Sequence, residues 1–386
     1  MNIPQISPFI TMEEYEEIKD CFTNNWFTEG PKADEFISKA KEMLGVTYAL
    51  FAPNATLGLY LALRAAGVEP GDEVIVADFT FYASATSIEM VGAIPVFCEV
   101  NRNNFQIDVN VAHKLVTPKT KAIMPVHMYG MCVNVNEVEE FASKYHLKVV
   151  EDAAEAFGVK FRGYKYAKNG DNTIMAGTTG DVGVYSFYAD KTITTGGEGG
   201  LIVTNNEELN NKILYYRNQG RLSAGTFVHP EIGYNFRLTD LQAGIGLVQL
   251  RKLDQIILNK LRIWNSFSDK LNNVEEVSML KLENGSSHIP FRATLLAESA
   301  HELMRYLGTQ GIQPRTFFYP MHKQPGLLNK FKNYGKPLSF DDADFDNSCY
   351  GYNYGVCLPC FPSLSEEQIQ YITEKIKMFY SKKGLT

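Results

Sequence analysis

The stretch GVYSFYADKTITTGGEGGLIVTNN, residues 183–206, places Lys191 between two short apolar runs and beside a glycine-rich turn. Five similar apolar runs precede it: TYALFAP (47–53), EVIVADF (73–79), IPVFCEV (94–100), KAIMPVH (121–127) and KVVEDAA (148–154). Runs that are apolar almost throughout are typical of parallel strands that helices cover on both faces. Helix-like stretches separate most of them. The pattern therefore predicts an α/β fold around a mostly parallel sheet of seven strands.

The chain is long enough for two domains, since its 386 residues exceed the roughly 250–300 at which single cores stop growing. Residues 239–271 have the pattern of one long, mostly helical connection. From IPFRATLLA (289–297) a second pattern of strand, helix and strand begins, and a C-terminal helix follows it. We expect an N-terminal arm at residues 1–30, which packs across domains or subunits, a large domain at 31–255 and a smaller C-terminal α/β domain at 256–386.

Composition excludes several classes of protein. The formal net charge is −7, which argues against a nucleic-acid partner because such proteins carry basic patches. We find no apolar run of the roughly 18 residues that a membrane span needs, and no secretory signal at the N-terminus. The six cysteines are too scattered for a disulfide scaffold. We therefore expect a cytoplasmic protein without a membrane partner.

The CLPC motif at residues 357–360 has the spacing of a redox or zinc pair. FPSLS separates it from the closing helix, whereas a redox pair should open a helix directly. A zinc site would need two more ligands at a suitable spacing, and we find none. The sequence therefore predicts no metal site.

Three features fall at the carboxyl ends of predicted strands, where open α/β sheets bind their ligands. The turn PNATLG follows the first strand and opens a helix with Asn54 as N-cap; Asp152 ends another strand; Lys191 lies just past a third. Each alone has a plain explanation as a cap, a turn residue or a surface lysine. Together they match a helix N-terminus for a phosphate, a carboxylate for a protonated ring nitrogen and an amine that forms an imine with an aldehyde. These are the three handles of pyridoxal phosphate (PLP).

The glycine run does not fit the other phosphate-binding motifs. A P-loop needs its lysine after the glycines, whereas Lys191 precedes them. No G-x-G-x-x-G follows a strand in TTGGEGGLIV or GIGLVQL. We interpret the glycines as backbone freedom beside a lysine that carries a cofactor.

The chain resembles the DegT/DnrJ/StrS family of PLP-dependent sugar-nucleotide aminotransferases over nearly its whole length. The matching segments are WFTEGPKADEF, GDEVIVADFTFYA, GAIPVF, TKAIMPVHMYG, VVEDAAEAFG, YSFYADKTITTGGEGG, EIGYNFRLTDLQAGIGLVQLRKLD and FFYPMHKQP. The resemblance implies the PLP-dependent transferase fold of the aspartate aminotransferase type I class. It also implies a role for several residues.

In that resemblance, Lys191 is the residue that forms the imine and shuttles protons, and Asp152 holds the ring nitrogen. Glu155 lies where family members carry Gln or Glu beside the ring, and it could also touch the sugar. Phe81 matches the aromatic residue that stacks on the ring.

The same resemblance assigns the phosphate to Thr56, to the backbone of Ala55 and to the hydroxyl of Ser186. Asn235 would reach the phosphate from the neighbouring subunit, which implies a homodimer with shared active sites.

The implied reaction moves an amino group from an amino acid, with L-glutamate expected, to a keto group on a nucleotide-linked deoxysugar. A related dehydratase subgroup carries histidine at the position of Lys191, so the lysine favours transamination. The FFYP and EDAAE stretches resemble the subgroup that makes 4-amino-4,6-dideoxy sugars, which includes GDP-perosamine synthases. Another keto carbon or nucleotide, a free eight-carbon sugar acid and a non-catalytic regulatory protein remain alternatives.

Three further side chains are candidate substrate contacts: His229, Tyr319 and His322. For each histidine a purely structural role is an equal alternative, and Tyr319 has similar standing.

The chain departs from the family pattern at three places. Asn54-Ala55-Thr56 replaces the usual Ser-Gly-Thr, TTGGEGG holds one extra glycine, and residues 168–178 form a longer link than usual. We expect the first to alter the phosphate contact and the last to reshape the substrate mouth or the dimer surface.

Overall fold

The computed structural model describes residues 1–167, 170–221, 225 and 227–383. Lys168 and Asn169, the start of the longer link noted above, lie outside the described residues. In the described part of the chain, no helix is both long and apolar enough to cross a membrane.

The strands follow one another in this order: β1 Tyr48–Ala52, β2 Glu73–Ala77, β3 Ile94–Cys98, β4 Thr120–Met124, β5 Lys148–Asp152, β6 Lys160–Arg162, β7 Thr173–Met175, β8 Val182–Ser186, β9 Gly200–Thr204, β10 Val277–Met279, β11 Ala293–Ala297, β12 Arg315–Thr316 and β13 Gly355–Leu358.

The α-helices are α1 Met12–Thr23, α2 Pro31–Leu44, α3 Ala55–Ala65, α4 Tyr82–Met90, α5 Val109–Ala112, α6 Val135–Tyr145, α7 Glu207–Arg217, α8 Asp240–Arg251, α9 Leu253–Leu271, α10 Ala300–Thr309, α11 Pro325–Phe331, α12 Asp346–Tyr354 and α13 Glu366–Lys383. Short 3₁₀ helices lie at Met128–Gly130, Met321–Lys323 and Asp342–Asp344.

The central sheet has seven strands in the order β1-β9-β8-β5-β4-β2-β3, built from the seven predicted apolar runs. The pairs among β8, β5, β4, β2 and β3 are parallel, while β9 is antiparallel to both β8 and β1. Every residue of β2, β3, β8 and β9 is buried, as expected for strands covered on both faces. The predicted α/β fold with a mostly parallel sheet is confirmed.

A second, four-stranded antiparallel sheet forms the C-terminal part in the order β10-β11-β13-β12. The expected single connection at residues 239–271 is two helices, α8 and α9, which meet at Lys252. Helix α9 contacts α13, β10 and β11 of the C-terminal part. We propose that the smaller domain begins with α9, so the boundary expected near residue 255 falls in the first turn of this helix.

The first 30 residues contact both parts of the chain. Ile3 forms a bridge with Ile312 in the C-terminal part, whereas α1 packs along α8 of the large part. The side chain of Gln5 also donates to the carbonyl of Leu358 on β13 at 3.3 Å. The segment therefore contacts both parts of the chain, and its role as a separate arm stays a prediction.

The hairpin of β6 and β7 was missed in the sequence. Its strands, KFR and TIM, have only three residues each, and Phe161 is the one buried residue among them. Such short segments lack the apolar period from which strands are recognised.

The loop that leads into β8 is anchored by the carboxylate of Glu151, which is buried on β5. Its Oε1 accepts from the backbone N–H groups of Thr179 at 2.7 Å and Gly180 at 2.5 Å. Its Oε2 lies 2.8 Å from Nε2 of His127 and accepts from the N–H of Gly177 at 3.1 Å. Burial alone would raise the pKa of Glu151, but His127 and these N–H donors outweigh it and lower the pKa. The charged carboxylate is therefore the form that the fold holds.

We predict that Glu151→Gln lowers the free energy of unfolding by about 3 kcal/mol, because the amide turns an N–H₂ group toward buried N–H donors. Urea titration measures this loss. Since the folded-state pKa is lowered, the stabilisation is present at neutral pH and is lost as the pH falls through that value. The gap between wild type and variant should shrink in acid.

The matched control is Glu140→Gln, whose exposed ion pair with Lys165 should change stability by less than about 1 kcal/mol. An equal, small effect of both substitutions would show that Glu151 does not anchor this loop.

Candidate active site

The candidate site lies at one edge of the central sheet. Strands β5 and β8 are parallel neighbours, so their last residues, Asp152 and Ser186, lie at the same edge. Strand β1 runs in the same direction as β8, because both are antiparallel to β9. The N-terminus of α3, which follows β1, is therefore at this edge too.

The start of α3 is built as the sequence predicts. The side chain of Asn54 accepts from the N–H of Leu57 at 3.0 Å and caps the helix. Ala55 and Thr56 follow in the first turn, where backbone N–H groups have no partner within the helix. A Cβ on Gly200 would lie 2.7 Å from the Asn54 carbonyl carbon and 3.0 Å from the Ala55 nitrogen. Only glycine at residue 200 lets β9 pass this close to the helix start.

Asp152 is a buried carboxylate with a fixed orientation. Its Oδ2 accepts from the hydroxyl of Ser84 at 2.7 Å, and its Oδ1 accepts from the N–H of Ala154 at 3.1 Å. The Ser84 hydroxyl also lies 2.9 Å from that of Thr80. We did not predict Ser84; the signal was its place in α4, one turn after Phe81.

Lys191 follows β8 in the loop that folds back toward β9. Its Nζ lies 3.9 Å from Oε1 of Glu155 and 4.4 Å from the ring centroid of Phe291. The lysine side chain is 14% exposed. It is therefore a nearly buried amine beside a buried carboxylate and an aromatic ring, not a surface lysine.

Glu155 is held by the backbone of a strained residue. Its Oε2 accepts from the N–H of Tyr129 at 2.8 Å, and Tyr129 has a φ of 53°, unusual for a bulky residue. Burial raises the pKa of Glu155 to about 7, although Lys191 and this N–H lower it in part. The carboxyl group therefore changes charge near neutral pH next to the lysine amine.

The residue before Lys191, Asp190, belongs to a second buried ion pair. Asp190 makes an ion pair with Arg292, whose guanidinium also lies 4.4 Å from the ring centroid of Phe291. We did not predict Arg292, because a lone arginine just before a strand carries no motif. The pair joins the loop of Lys191 to β11.

The extra glycine of the TTGGEGG turn has a conformational reason. Gly196 and Gly197 have φ values of 93° and 131°, where other residues are strained. The turn is closed by Thr195, whose hydroxyl donates to the carbonyl of Glu198 at 2.6 Å. Two consecutive glycines thus let the loop reverse between Lys191 and β9.

Phe81 precedes α4 and is 59% exposed, beside Phe318 at a centroid distance of 6.0 Å. Phe318 in turn stacks on Tyr129 at 5.5 Å. Phe81 therefore presents an open aromatic face in the neighbourhood of the site.

Lys191 lines a small cavity. The N-terminal residues 6–9 form one wall, and Lys191, Thr192, Lys260 and Arg292 form another. Lys260 is fully buried, and its Nζ donates to the carbonyls of Pro290 at 3.1 Å and Cys360 at 3.2 Å. The expected arm thus reaches the loop that carries Lys191.

Asn235 and His229 lie on a separate, exposed segment. Asn235 bridges to Asn218, and Nδ1 of His229 lies 2.7 Å from the Gln219 carbonyl oxygen. Both line an open groove to which none of the strand-end residues contributes. Within one chain, the structure does not bring these two residues to Lys191.

His322 does not face open solvent, as a substrate contact would. The ring is 1% exposed and lies 2.8 Å from Asp78 through Nδ1 and 3.1 Å from Asp342 through Nε2. This corresponds to the structural alternative for His322. Tyr319 is 37% exposed and packs edge-to-face on Tyr352 at 5.0 Å.

Comparison with known proteins agrees with this geometry. The family model described as the DegT/DnrJ/EryC1/StrS aminotransferase family matches residues 8–377. The chain belongs to this family. It is therefore a PLP-dependent sugar aminotransferase, and the resemblance drawn from the sequence motifs is confirmed.

Two curated relatives are named GDP-perosamine synthase. The protein from Escherichia coli O157:H7 is 37% identical over 385 residues, which cover 99% of each chain. That from Vibrio cholerae is 33% identical and covers 98% of this chain and 99% of its own. Among solved structures, Spr1654 from Streptococcus pneumoniae in its PMP form is 25% identical, covers 99% and 98% of the two chains and has a TM-score of 0.89.

The residues at the sheet edge fit the family cofactor. The donor set offers a helix N-terminus for a phosphate, the Asp152 carboxylate for a ring nitrogen and the Lys191 amine for an aldehyde. The absence of a Cβ at Gly200 keeps the helix start and β9 close together at this edge.

We predict that Glu155→Gln removes a transition near pH 7 from the pH profile of kcat/KM. In the wild type the carboxyl group is neutral below about pH 7 and charged above it, whereas the amide stays neutral throughout. Steady-state kinetics of the PLP-loaded protein across this range measure the difference.

Glu139→Gln is the matched control, because burial also raises the pKa of Glu139 but this residue lies on α6. It should keep the wild-type profile. Superimposable profiles for wild type and Glu155→Gln would contradict a titrating role for Glu155.

Proposed function

We propose that this enzyme moves an amino group from L-glutamate to the 4-keto group of GDP-4-keto-6-deoxymannose and so forms GDP-perosamine. The full-length similarity to relatives named GDP-perosamine synthase supports this substrate. The observation that carries the chemistry is the nearly buried Lys191 amine, which lies 3.9 Å from Glu155. Lys191 follows β8, and β8 pairs with β5, the strand that ends at Asp152.

We propose the following roles for the residues of the site. When bound, PLP supplies an aldehyde that accepts the amino group and a ring that stabilises negative charge on the neighbouring carbon. Asp152, oriented by Ser84 and the Ala154 N–H, pairs with the ring nitrogen and keeps it protonated. Phe81, with its exposed aromatic face, would cover one face of the ring.

Lys191 moves protons once its amine is free of the cofactor. Glu155 lies close enough to hold the lysine ammonium, and its own raised pKa makes it a proton acceptor near neutral pH. The ion pair of Asp190 with Arg292 limits the freedom of the lysine loop.

The phosphate is assigned to the start of α3, at Ala55 and Thr56, and to the Ser186 hydroxyl. These groups must hold the cofactor when Lys191 is not bonded to it, and hydrogen bonds to a charged group contribute roughly 1.5–3 kcal/mol each. His229 and Tyr319 remain proposed substrate contacts.

We propose a homodimer in which Asn235 of the partner subunit completes the phosphate site. Close to Asn235 in sequence, Phe227, Val228 and Ile232 are 84%, 66% and 72% exposed. A group of apolar side chains this exposed is typical of an interaction surface. The segment is therefore well suited to lie against a second copy of the chain.

The test is turnover of keto sugars with glutamate, read by the mass of the aminated product and by release of 2-oxoglutarate. We expect GDP-4-keto-6-deoxymannose to be aminated faster than UDP- or dTDP-linked keto sugars and free sugar acids. Lys191→Ala should reduce turnover at least about 100-fold, the scale of a lost acid–base group.

Lys39→Ala, at an exposed position on α2, is the control and should keep full activity. Faster amination of another keto sugar would overturn the proposed substrate but not the aminotransferase. Undiminished turnover in Lys191→Ala would overturn the assignment of the lysine.

A further inference from the structure

A mixed set of metal-ligating atoms lies outside the site of transamination. Nε2 of His322 is 3.1 Å from Oδ1 of Asp342 and 3.9 Å from Sγ of Cys349. All three atoms lie within 4.8 Å of one another. Ligands of a tetrahedral zinc ion, at about 2.0–2.3 Å from the metal, are separated by similar distances.

The imidazole of His322 is held in place by the Asp78 carboxylate, on the side away from the cluster, as in established metal sites. Its Nδ1 lies 2.8 Å from Oδ2 of the buried Asp78, and the backbone N–H of His322 donates to Oδ1 of the same carboxylate at 2.7 Å. The ring also stacks on Phe345 at 4.4 Å. A carboxylate on Nδ1 orients the ring and directs Nε2 toward Asp342 and Cys349, which is the typical outer contact of a histidine ligand. This observation is independent of the cluster itself.

The three side chains range from buried to exposed, so a metal ion could enter from solvent and still be held by a buried ligand. His322 is buried, Cys349 is half-buried and the side chain of Asp342 is 62% exposed, so the cluster has a closed base and an open mouth. Cys349 is also the least buried of the six cysteines, since the other five are all buried. It is the thiol that an ion from solvent can reach.

One cation already lies next to the cluster. Nζ of Lys323 is 2.6 Å from Oδ2 of Asp342. This contact leaves Oδ1, the oxygen that faces His322, as the atom available to a metal. The lysine can therefore remain as an outer partner of the carboxylate.

We propose that His322, Asp342 and Cys349 bind one zinc ion, with water in the fourth position. The combination of imidazole, thiolate and carboxylate suits zinc among the abundant divalent metals. The three ligands come from a 3₁₀ helix at Met321–Lys323, a second at Asp342–Asp344 and helix α12. Zinc would clamp the chain between α11 and α12 onto the segment that follows Tyr319. None of these three ligands is among the residues to which transamination is assigned above.

The experiment uses PLP-loaded protein that has been dialysed against a chelator and then given Zn²⁺ or Co²⁺. We expect one zinc per chain by elemental analysis and a rise in Tm on adding zinc, because the ion binds the folded state. Co²⁺ should give visible d–d bands of a four-coordinate thiolate site, at longer wavelengths than the absorption of PLP.

Cys349→Ser and Asp342→Asn should each weaken zinc binding at least about tenfold, and Cys349→Ser should remove the thiolate signature of cobalt. Cys21→Ser, a buried cysteine on α1, and Asp344→Asn, an exposed neighbour, are the matched controls and should bind as the wild type does. These variants spare His322, whose loss would leave the Asp78 carboxylate buried without its partner.

Zinc binding below one per chain in the wild type would overturn the proposal. So would unchanged binding in Cys349→Ser, since the metal would then lie elsewhere, for example at Cys357 and Cys360. Neither result would bear on Lys191 or on the proposed substrate.

Discussion

The parallel pairing of β5 with β8 is the constraint on which the site depends. Because the two strands run side by side in one direction, Asp152 and Ser186 end at the same edge, and Lys191 follows five residues later. Strand β9 lies between β8 and β1 and is antiparallel to both, so β1 and β8 run in the same direction. The start of α3, which follows β1, therefore lies at that edge as well. The helix N-terminus, the Asp152 carboxylate and the neighbouring Ser186 and Lys191 come from three segments far apart in sequence, and the sheet brings them together.

The buried charges around this edge are each matched by specific partners. Glu151 is held charged by N–H donors and His127, Asp152 is oriented by Ser84, and Asp190 pairs with Arg292. Glu155 is different, because burial raises its pKa to about 7 despite Lys191 nearby. Three carboxylates are therefore fixed in place, while the fourth is poised to change charge beside the Lys191 amine.

Much of this arrangement could be predicted from sequence because it rests on local signals. The apolar runs gave the strands, Asn54 gave the cap of α3, and strand ends gave Asp152 and Lys191. Ser84, Arg292 and the Tyr129 backbone were missed, since their roles arise only when distant segments meet. The β6–β7 hairpin was missed because its strands have only three residues each. The sequence left a substrate contact and a structural role equally open for His322, because its partner Asp78 lies 244 residues away.

The most direct test of the central claim is to identify which amine bonds to the cofactor. The protein would be loaded with PLP, reduced with borohydride, digested and analysed by peptide mass spectrometry. We predict one phosphopyridoxyl group per chain, on Lys191. Lys260 is the informative rival, because it lines the same cavity and burial lowers its pKa. A label on Lys260, or none on Lys191, would contradict the account.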